Sequence, residues 1–537
     1  MEHRSFLYEG LQFLKKWRGV MAALVAVLML GGVAFAGNEL EKGKAKYVFL
    51  FIGDGMAVAQ RNAAEPYLGK IKGANRPEEA KLLMNTFPAQ GVNTTYDLTS
   101  VIPDSASTAT AISSGYKTKS GVIGMDAEAK ILYENLAETA KKKQMKVGIL
   151  STVSLDHATP AAFYAHVASR QQMYEISMQL VNSRVDYFAG GQMKESEDKK
   201  DPGKPKALET AKKNGFIIAT GRAAFSALKP GAGRVIAMNV TVDQDKAMYY
   251  TIDQKFSPDQ VTLAEYLAKA LELLDNPQGF FIVAEGGKID WACHANDAGA
   301  SIHDTLALDE AVAEAVKFYQ NHPRETLIVV TGDHETGGMT IGFAGTQYSS
   351  FMDKIEHQKM SYLEFNKKLE EYKKSHTVAK AKFEDLLPVI KEAFGFYVLP
   401  DSERATIEEA VSAGKDPEAP AEAKKTAKDA ERQLKYSMAL TELEMKVLKD
   451  AFQQSMLGKK ERAQDDYSYL LYGGYEPLAV KLTTILNNKA GIGWTTYSHS
   501  GVPVQTSALG VGAELFNGYY DQTDIYKKIA TITGLTR

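Results

Sequence analysis

The 537-residue chain has one cysteine, Cys293. No internal disulfide can form, so the fold must rest on core packing alone. There is no surplus of either charge: 63 Lys and Arg stand against 66 Asp and Glu, a net charge of −3. The pI is near 6.4. Nucleic-acid binding usually shows as a basic face, and this balance gives no reason to expect a nucleic-acid partner. Past the N-terminus no apolar run approaches the ~20 residues of a membrane span, so no stable membrane insertion is expected. No internal repeat is visible.

What is present begins with a targeting pattern. Lys15, Lys16 and Arg18 precede an apolar run from Val20 to Leu30, followed by Gly31, Gly32, Val33 and a small-x-small site at Ala34-Phe35-Ala36. This is the layout of a secretory signal peptide over residues 1–36, with an uncleaved anchor as the alternative. The mature chain is expected to start near Gly37 and to be exported, either periplasmic or secreted. No cysteine stands at the cleavage site to carry a lipid.

From Lys46 onward short continuous apolar runs alternate with helical patterns. Tyr47 to Ile52, Val147 to Leu150, Phe280 to Ala284 and Thr326 to Val330 read as strands buried on both faces, the signature of a parallel sheet. Leu132 to Lys142, Val261 to Leu274 and Leu306 to Tyr319 read as helices. The expected fold is α/β: a three-layer α/β/α sandwich with a mostly parallel central sheet. Residues 37–346 and 476–537 form that core. Residues 347–475 are rich in Lys, Glu and Ala with helical spacing and read as a helical insertion. Within it, Lys415 to Lys435 reads as a solvated linker or an exposed helix.

Sites in such sheets form beyond the carboxyl ends of the strands, and acids and histidines cluster there. Asp54 lies between two glycines after the first strand. Ser105 follows Pro103-Asp104 at the start of a small-residue helix, where unpaired N–H groups favour an alkoxide or a phosphate. Glu285 ends a strand, and Asp290 and His294 follow with the i, i+4 spacing that puts them on one helical face. Asp333 and His334 end another strand, and His499 sits in a late Gly/Ser-rich segment. Alone, Asp54 and Ser105 read more readily as caps or turns and His499 carries almost nothing, while the Glu285, Asp290 and His294 set is evenly balanced between metal and structure. Together they supply carboxylates and imidazoles for paired zinc ions ~3.5–4 Å apart, which clamp the two oxygens of an in-line phosphoryl transfer.

The segments FIGDGM, PDSASTATA, HATPAAFYAHVASR, EGGKIDWACH, TGDHETGG and SHSGVPV occur in the order found in the alkaline phosphatases. The chain resembles that family from about Lys46 to Phe343 and again around His499. The resemblance implies that Ser105 is a transiently phosphorylated nucleophile. It implies one zinc held by Asp54, Asp333 and His334, and a second held by Asp290, His294 and His499. It implies one magnesium held by Thr159 and Glu285 with Asp54. Arg170 would grip the nonbridging phosphate oxygens with its planar fork. The substrates implied are small-molecule phosphate monoesters, and a homodimer is the implied assembly.

Some bacterial members carry aspartate at the position of His157 and lysine at that of Trp291. Both residues are therefore expected beside the substrate, with consequences for the third metal and for phosphate release. A phosphodiesterase or sulfatase of the same superfamily, or a non-catalytic exported phosphate- or metal-binding protein, are the alternatives. His303 and His322 read as surface or capping residues, and His166 reads as packing in a helix leading to Arg170. The Tyr and Met residues of the helical block read as contacts among its own helices.

Overall fold

A computed structural model describes residues 44–74, 79–458 and 461–536. The signal segment expected over residues 1–36 lies outside the described residues. In chain order the strands are β1 (Tyr47–Gly53), β2 (Ala89–Thr94), β3 (Lys146–Ser151), β4 (Tyr187–Gly190), β5 (Phe216–Thr220), β6 (Arg234–Met238), β7 (Phe280–Gly286) and β8 (Thr326–Gly332). They continue with β9 (Glu335–Thr336), β10 (Thr340–Ile341), β11 (Ile492–Gly493), β12 (His499–Ser500), β13 (Val504–Gly510) and β14 (Gly518–Asp521). Ten of them form one sheet in the order β14-β2-β13-β8-β1-β7-β3-β4-β6-β5, while β9 with β12 and β10 with β11 make short ribbons. Among the described residues of the large sheet only β13 runs against its neighbours, β2 and β8.

Every residue of β1, β7 and β8 is buried, including Glu285 at the end of the apolar run Phe280 to Ala284. Alternation along β1 divides its side chains between two cores. Phe49 and Phe51 join one core, with Tyr266 and Leu308. Val48, Leu50 and Ile52 join the other, with Ile112 and Val283. The register aligns Gly53 with both Gly286 and Gly332. The three central strands thus stop at one level, and the chain after each of them opens onto the same edge of the sheet.

The helices that build the site are α1 (Ser105–Ser114), α2 (Lys288–His294) and α3 (Ala298–Asn321). Beyond β10 the helices include α4 (Tyr362–Ser375), α5 (Asp401–Lys415), α6 (Ala421–Tyr436), α7 (Glu442–Met456), α8 (Asp466–Tyr472) and α9 (Pro477–Ala490). Phe365, Ile390, Leu448 and Phe452 from this region enter the same hydrophobic cluster as Ile302 and Leu482, so these helices extend one face of the core. At the start of α4, Asp253 accepts from both the N–H and the hydroxyl of Ser361, and Asp297 accepts from the Tyr362 N–H at 2.8 Å. The charged stretch read as a linker or exposed helix is the second arm of the α5–α6 hairpin, which closes over a small cluster of Leu399, Ile407 and Ala439.

Three expectations need correction. The helix anticipated from Leu132 starts at Leu136, because Asn135 caps it and accepts from the Glu138 N–H at 3.0 Å. His166 is not helical. The helix Ala158–Ala161 ends early, Val167 bridges to Ile123, and the His166 N–H is taken by the Gln179 side chain at 2.9 Å. Tyr467 and Tyr469 are not internal contacts of the helical block: they are 67% and 53% exposed.

Candidate metal and active site

Asp54 leaves β1, Asp333 and His334 leave β8, and Glu285 is the penultimate residue of β7. Asp290, Trp291 and His294 ride on α2. His499 opens β12 opposite Thr336 of β9. Ser105 is the first residue of α1, which Asp104 caps by accepting from the Ser107 N–H at 3.0 Å. Gly55 allows this convergence. It adopts φ +71°, and a Cβ there would stand 2.9 Å from the Asp290 backbone. Its N–H donates to Asp333 Oδ1 at 3.1 Å.

The Ser105 hydroxyl lies 3.1 Å from His334 Nε2. That nitrogen is also 3.3 Å from a carboxylate oxygen of Asp54 and 3.3 Å from one of Asp333. The Thr336 hydroxyl donates to Asp290 Oδ1 at 2.5 Å and sits 3.3 Å from His334 Nδ1. Having given its proton to Asp290, Thr336 can only accept from His334, so the His334 proton is on Nδ1 and the Nε2 lone pair faces the two carboxylates.

The neighbouring pair repeats the pattern. His294 Nδ1 lies 2.7 Å from the Tyr497 carbonyl and His499 Nδ1 lies 2.7 Å from the Pro103 carbonyl. Carbonyls only accept, so both protons are on Nδ1. Against burial, Asp290 lifts the His294 pKa to about 9, so the His294 Nε2 also holds a proton until a metal displaces it; it faces the His499 Nε2 at 3.2 Å, with Asp290 oxygens 3.4 and 3.6 Å away.

Lone pairs and carboxylates so arranged repel unless a cation stands among them. Both oxygens of Asp54, Glu285 Oε1, Thr159 Oγ1 and His157 Nδ1 are buried without a hydrogen-bond partner. The oxygens are those of hard metal ligands; His157, neutral and accepting from Arg170 at Nε2, turns an N–H toward them. Among the described residues, ligand atoms converge in three groups: Asp54, Asp333 and His334; Asp290, His334 and His499; and Asp54, His157 and Glu285. Burial, and then the other carboxylates, hold Asp54 well above the carboxylate range. Burial and Asp290 push Asp333 up to about 8, and burial raises Glu285 to about 7. Groups in this state ionise when a divalent ion binds, so metal uptake releases protons.

Arg170 reaches the same space. One guanidinium nitrogen donates to Asp104 at 3.0 Å and another to His157 Nε2 at 3.2 Å. Burial and Arg170 drive the His157 pKa down to about 3, so His157 is neutral. Trp291 meets the His157 ring edge-on, 5.9 Å between centroids. Ser105, His157, Arg170, Asp290, Trp291, His294 and His499 all face one open cleft of about 1910 Å³.

Several contributors were not singled out in the sequence, although Thr108 lies in PDSASTATA and Thr336 in TGDHETGG. Thr108, three residues after Ser105 on the same face of α1, donates to Asp333 Oδ2 at 3.1 Å. Thr336 joins His334 to Asp290. Ser151 donates to Glu285. Helical spacing from Ser105 could have flagged Thr108; the other two require the sheet register. His166 bonds Gly124 and Glu138 and His303 bonds Tyr67, both away from the metal ligands.

A family model described as alkaline phosphatase matches residues 45–535. The chain belongs to the alkaline phosphatase family. Among curated alkaline phosphatases, alkaline phosphatase 3 of Bacillus subtilis is 28% identical over 94% of this chain and 96% of its own length. Alkaline phosphatase 4 of Drosophila melanogaster is 31% identical over 56% of this chain. The match spans 58% of the fly protein, less than two-thirds of its length. A cold-active alkaline phosphatase crystal structure from a psychrophilic Shewanella superposes with a TM-score of 0.68 at 25% identity, covering 91% of this chain and 100% of that one. The large, mostly parallel sheet is the fold of these alkaline phosphatase structures.

Proposed function

We propose that this protein is an exported, metal-dependent alkaline phosphatase that hydrolyses phosphate monoesters through a phosphoserine on Ser105. The observation that carries the reading is the Ser105 hydroxyl at a helix N-terminus, 3.1 Å from a His334 nitrogen whose lone pair already faces two carboxylates. Asp54, Asp333 and His334 would hold one zinc, Asp290, His294 and His499 a second, and Asp54, Thr159 and Glu285 a magnesium. His157 is within reach of that third group. When bound, the ions supply positive charge for the developing oxyanions and a hydroxide source near neutral pH.

The protein's own groups set the geometry. The N–H groups at the start of α1 favour the ionised serine oxygen and the incoming phosphoryl group. Ser105 forms the bond to phosphorus as the ester oxygen leaves. Arg170, oriented by Asp104, offers paired N–H donors to the nonbridging oxygens. Water then cleaves the phosphoserine and releases phosphate. Neutral His157 and Trp291 border the group that Arg170 holds and add no charge of their own at that edge of the phosphate.

Two further parts belong to the same reading. The basic-apolar-small pattern before Gly37 supports export. A homodimer is supported by exposed apolar side chains near the sheet edge: Leu98, Val101, Ile102, Val502 and Tyr519. Lys117 links this rim by contacting Tyr96 and pairing with Asp521 on the edge strand β14.

The test is phosphate release from an aryl monoester and the matching diester, with zinc and magnesium, with and without chelator, and in S105A. Monoester turnover that chelator and S105A abolish, with acid-quenched phosphate on Ser105 by mass spectrometry, is the expected result. Faster diester cleavage points to a diesterase. Metal binding without turnover of either ester points to a binding protein.

A further inference from the structure

The cleft is far larger than a phosphate needs, and larger than the ~300–1,000 Å³ of ordinary ligand pockets. From Ser105 it runs out along α4, the end of α7 and α8. Tyr362, Tyr475 and Tyr469 line that wall, and Tyr250 and Tyr497 behind it join them into a ladder of rings. Tyr250 meets Tyr362 at 6.0 Å, Tyr362 meets Tyr475 at 5.7 Å, and Tyr475 and Tyr469 each meet Tyr497 at 6.4 Å. The ladder touches the metal site where the Tyr497 carbonyl holds His294. It ends in solvent at Tyr469, half exposed, whose hydroxyl lies 3.3 Å from that of Ser498, the residue before His499. Tyr469 thus lines the same cleft as Ser105.

The charge of the wall narrows the choice. Lys194 pairs with Asp245, Lys367 with Glu364, Lys373 with Glu370, and Arg462 with Glu476. Lys374 also lines the cleft, but so do Glu195, Glu371 and Asp465. Among the described residues the wall therefore has no positive surplus for a second phosphate.

Resting on the phosphatase reading above, we propose that Tyr469 is a stacking platform that selects monophosphates whose leaving group ends in a flat, uncharged base, such as nucleoside 5′-monophosphates. Stacking of a base on an exposed aromatic ring is sequence-tolerant and strong enough to set preference. A wall whose cations are outnumbered by its carboxylates gives no added hold on a diphosphate.

The metal-loaded S105A protein, which binds without turning over, separates the two readings. By calorimetry, adenosine 5′-monophosphate is expected to bind about five- to thirtyfold more tightly than ribose 5-phosphate, which lacks only the base. Adding Y469A should erase that ratio, and Y469F should keep it. Equal affinities for the two ligands would overturn the platform. So would Y469A weakening both alike, or adenosine diphosphate binding more tightly than the monophosphate. If the native protein cleaves neither ester while S105A keeps the base-dependent ratio, the phosphatase reading falls and the platform stands.

Discussion

Asp253 lies in the turn Thr251–Phe256, only 1% exposed, and fastens the start of α4 to the core by accepting from the Ser361 backbone and hydroxyl. Burial pushes its pKa to about 7, against the pull of both Ser361 hydrogen bonds. An unfolded aspartate titrates near ~3.9. Between those values the folded chain keeps a proton that the unfolded chain gives up. The resulting stability is fully present below about pH 4 and is lost as pH rises through about 7. Three pH units at about 1.4 kcal/mol each put the full loss near 4 kcal/mol, with about 2–3 kcal/mol of it falling between pH 5 and 8.

An asparagine side chain at this position cannot ionise, and its carbonyl can still accept from the Ser361 N–H. D253N should therefore gain about 2–3 kcal/mol over the parent between pH 5 and pH 8. The assay is urea unfolding of both proteins at each pH, with the same metal load. Comparing variant with parent at each pH cancels the titration of the metal ligands. A difference that does not change with pH, or a variant that loses ground at pH 8, would refute the reasoning. Either would mean that Asp253 is already ionised in the folded protein.

Two further outcomes follow from the site. R170A should lower kcat/KM for a monoester about 10²–10³-fold, in line with removal of a transition-state donor. R170K, which keeps the charge without the fork, should recover only part of it, as read in steady-state kinetics. Chelation should lower Tm, since ions held by Asp54, Asp333 and Glu285 bind the folded site and not the unfolded chain. Adding zinc and magnesium back should restore Tm and release protons, measurable in weakly buffered solution; stability indifferent to chelator would count against a cation site.

The sheet was legible because its central strands are unbroken apolar runs ending in glycine. The convergence of Asp54, Ser105, Asp290, His334 and His499 was legible as motif order, since each stands at a strand or helix end. What could not be read was anything that depends on register. Thr336 reaches both His334 and Asp290 only because β9 pairs with β12 and α2 packs alongside. His166 looked helical because Ala158 to Val167 is rich in helix formers, yet pairing with Ile123 took precedence. Tyr467 and Tyr469 looked like core contacts because spacing alone does not say which face of a seven-residue helix is turned to solvent.

Where the ligands are anchored bears on how the site works. Asp54, Glu285 and Asp333 come from β1, β7 and β8, whose residues are all buried and whose ends are locked in register by continuous hydrogen bonding. Ligands on free loops would swing apart to relieve their mutual repulsion, and that relaxation would have to be reversed on each binding event. Here the neighbouring strands prevent it, so the carboxyls stay together and hold protons until cations displace them, and the cost of assembling the site is met during folding rather than during catalysis. His294 and His499 are less tightly held: one rides on a seven-residue helix and the other on a two-residue strand, each fixed through a backbone carbonyl. On the proposed assignment, an ion bound between them should therefore exchange faster than one bound by Asp54, Asp333 and His334. Metal release followed by stopped-flow with a chromogenic chelator should show two phases, with H499A removing the fast one; removal of the slow phase instead would reverse this assignment.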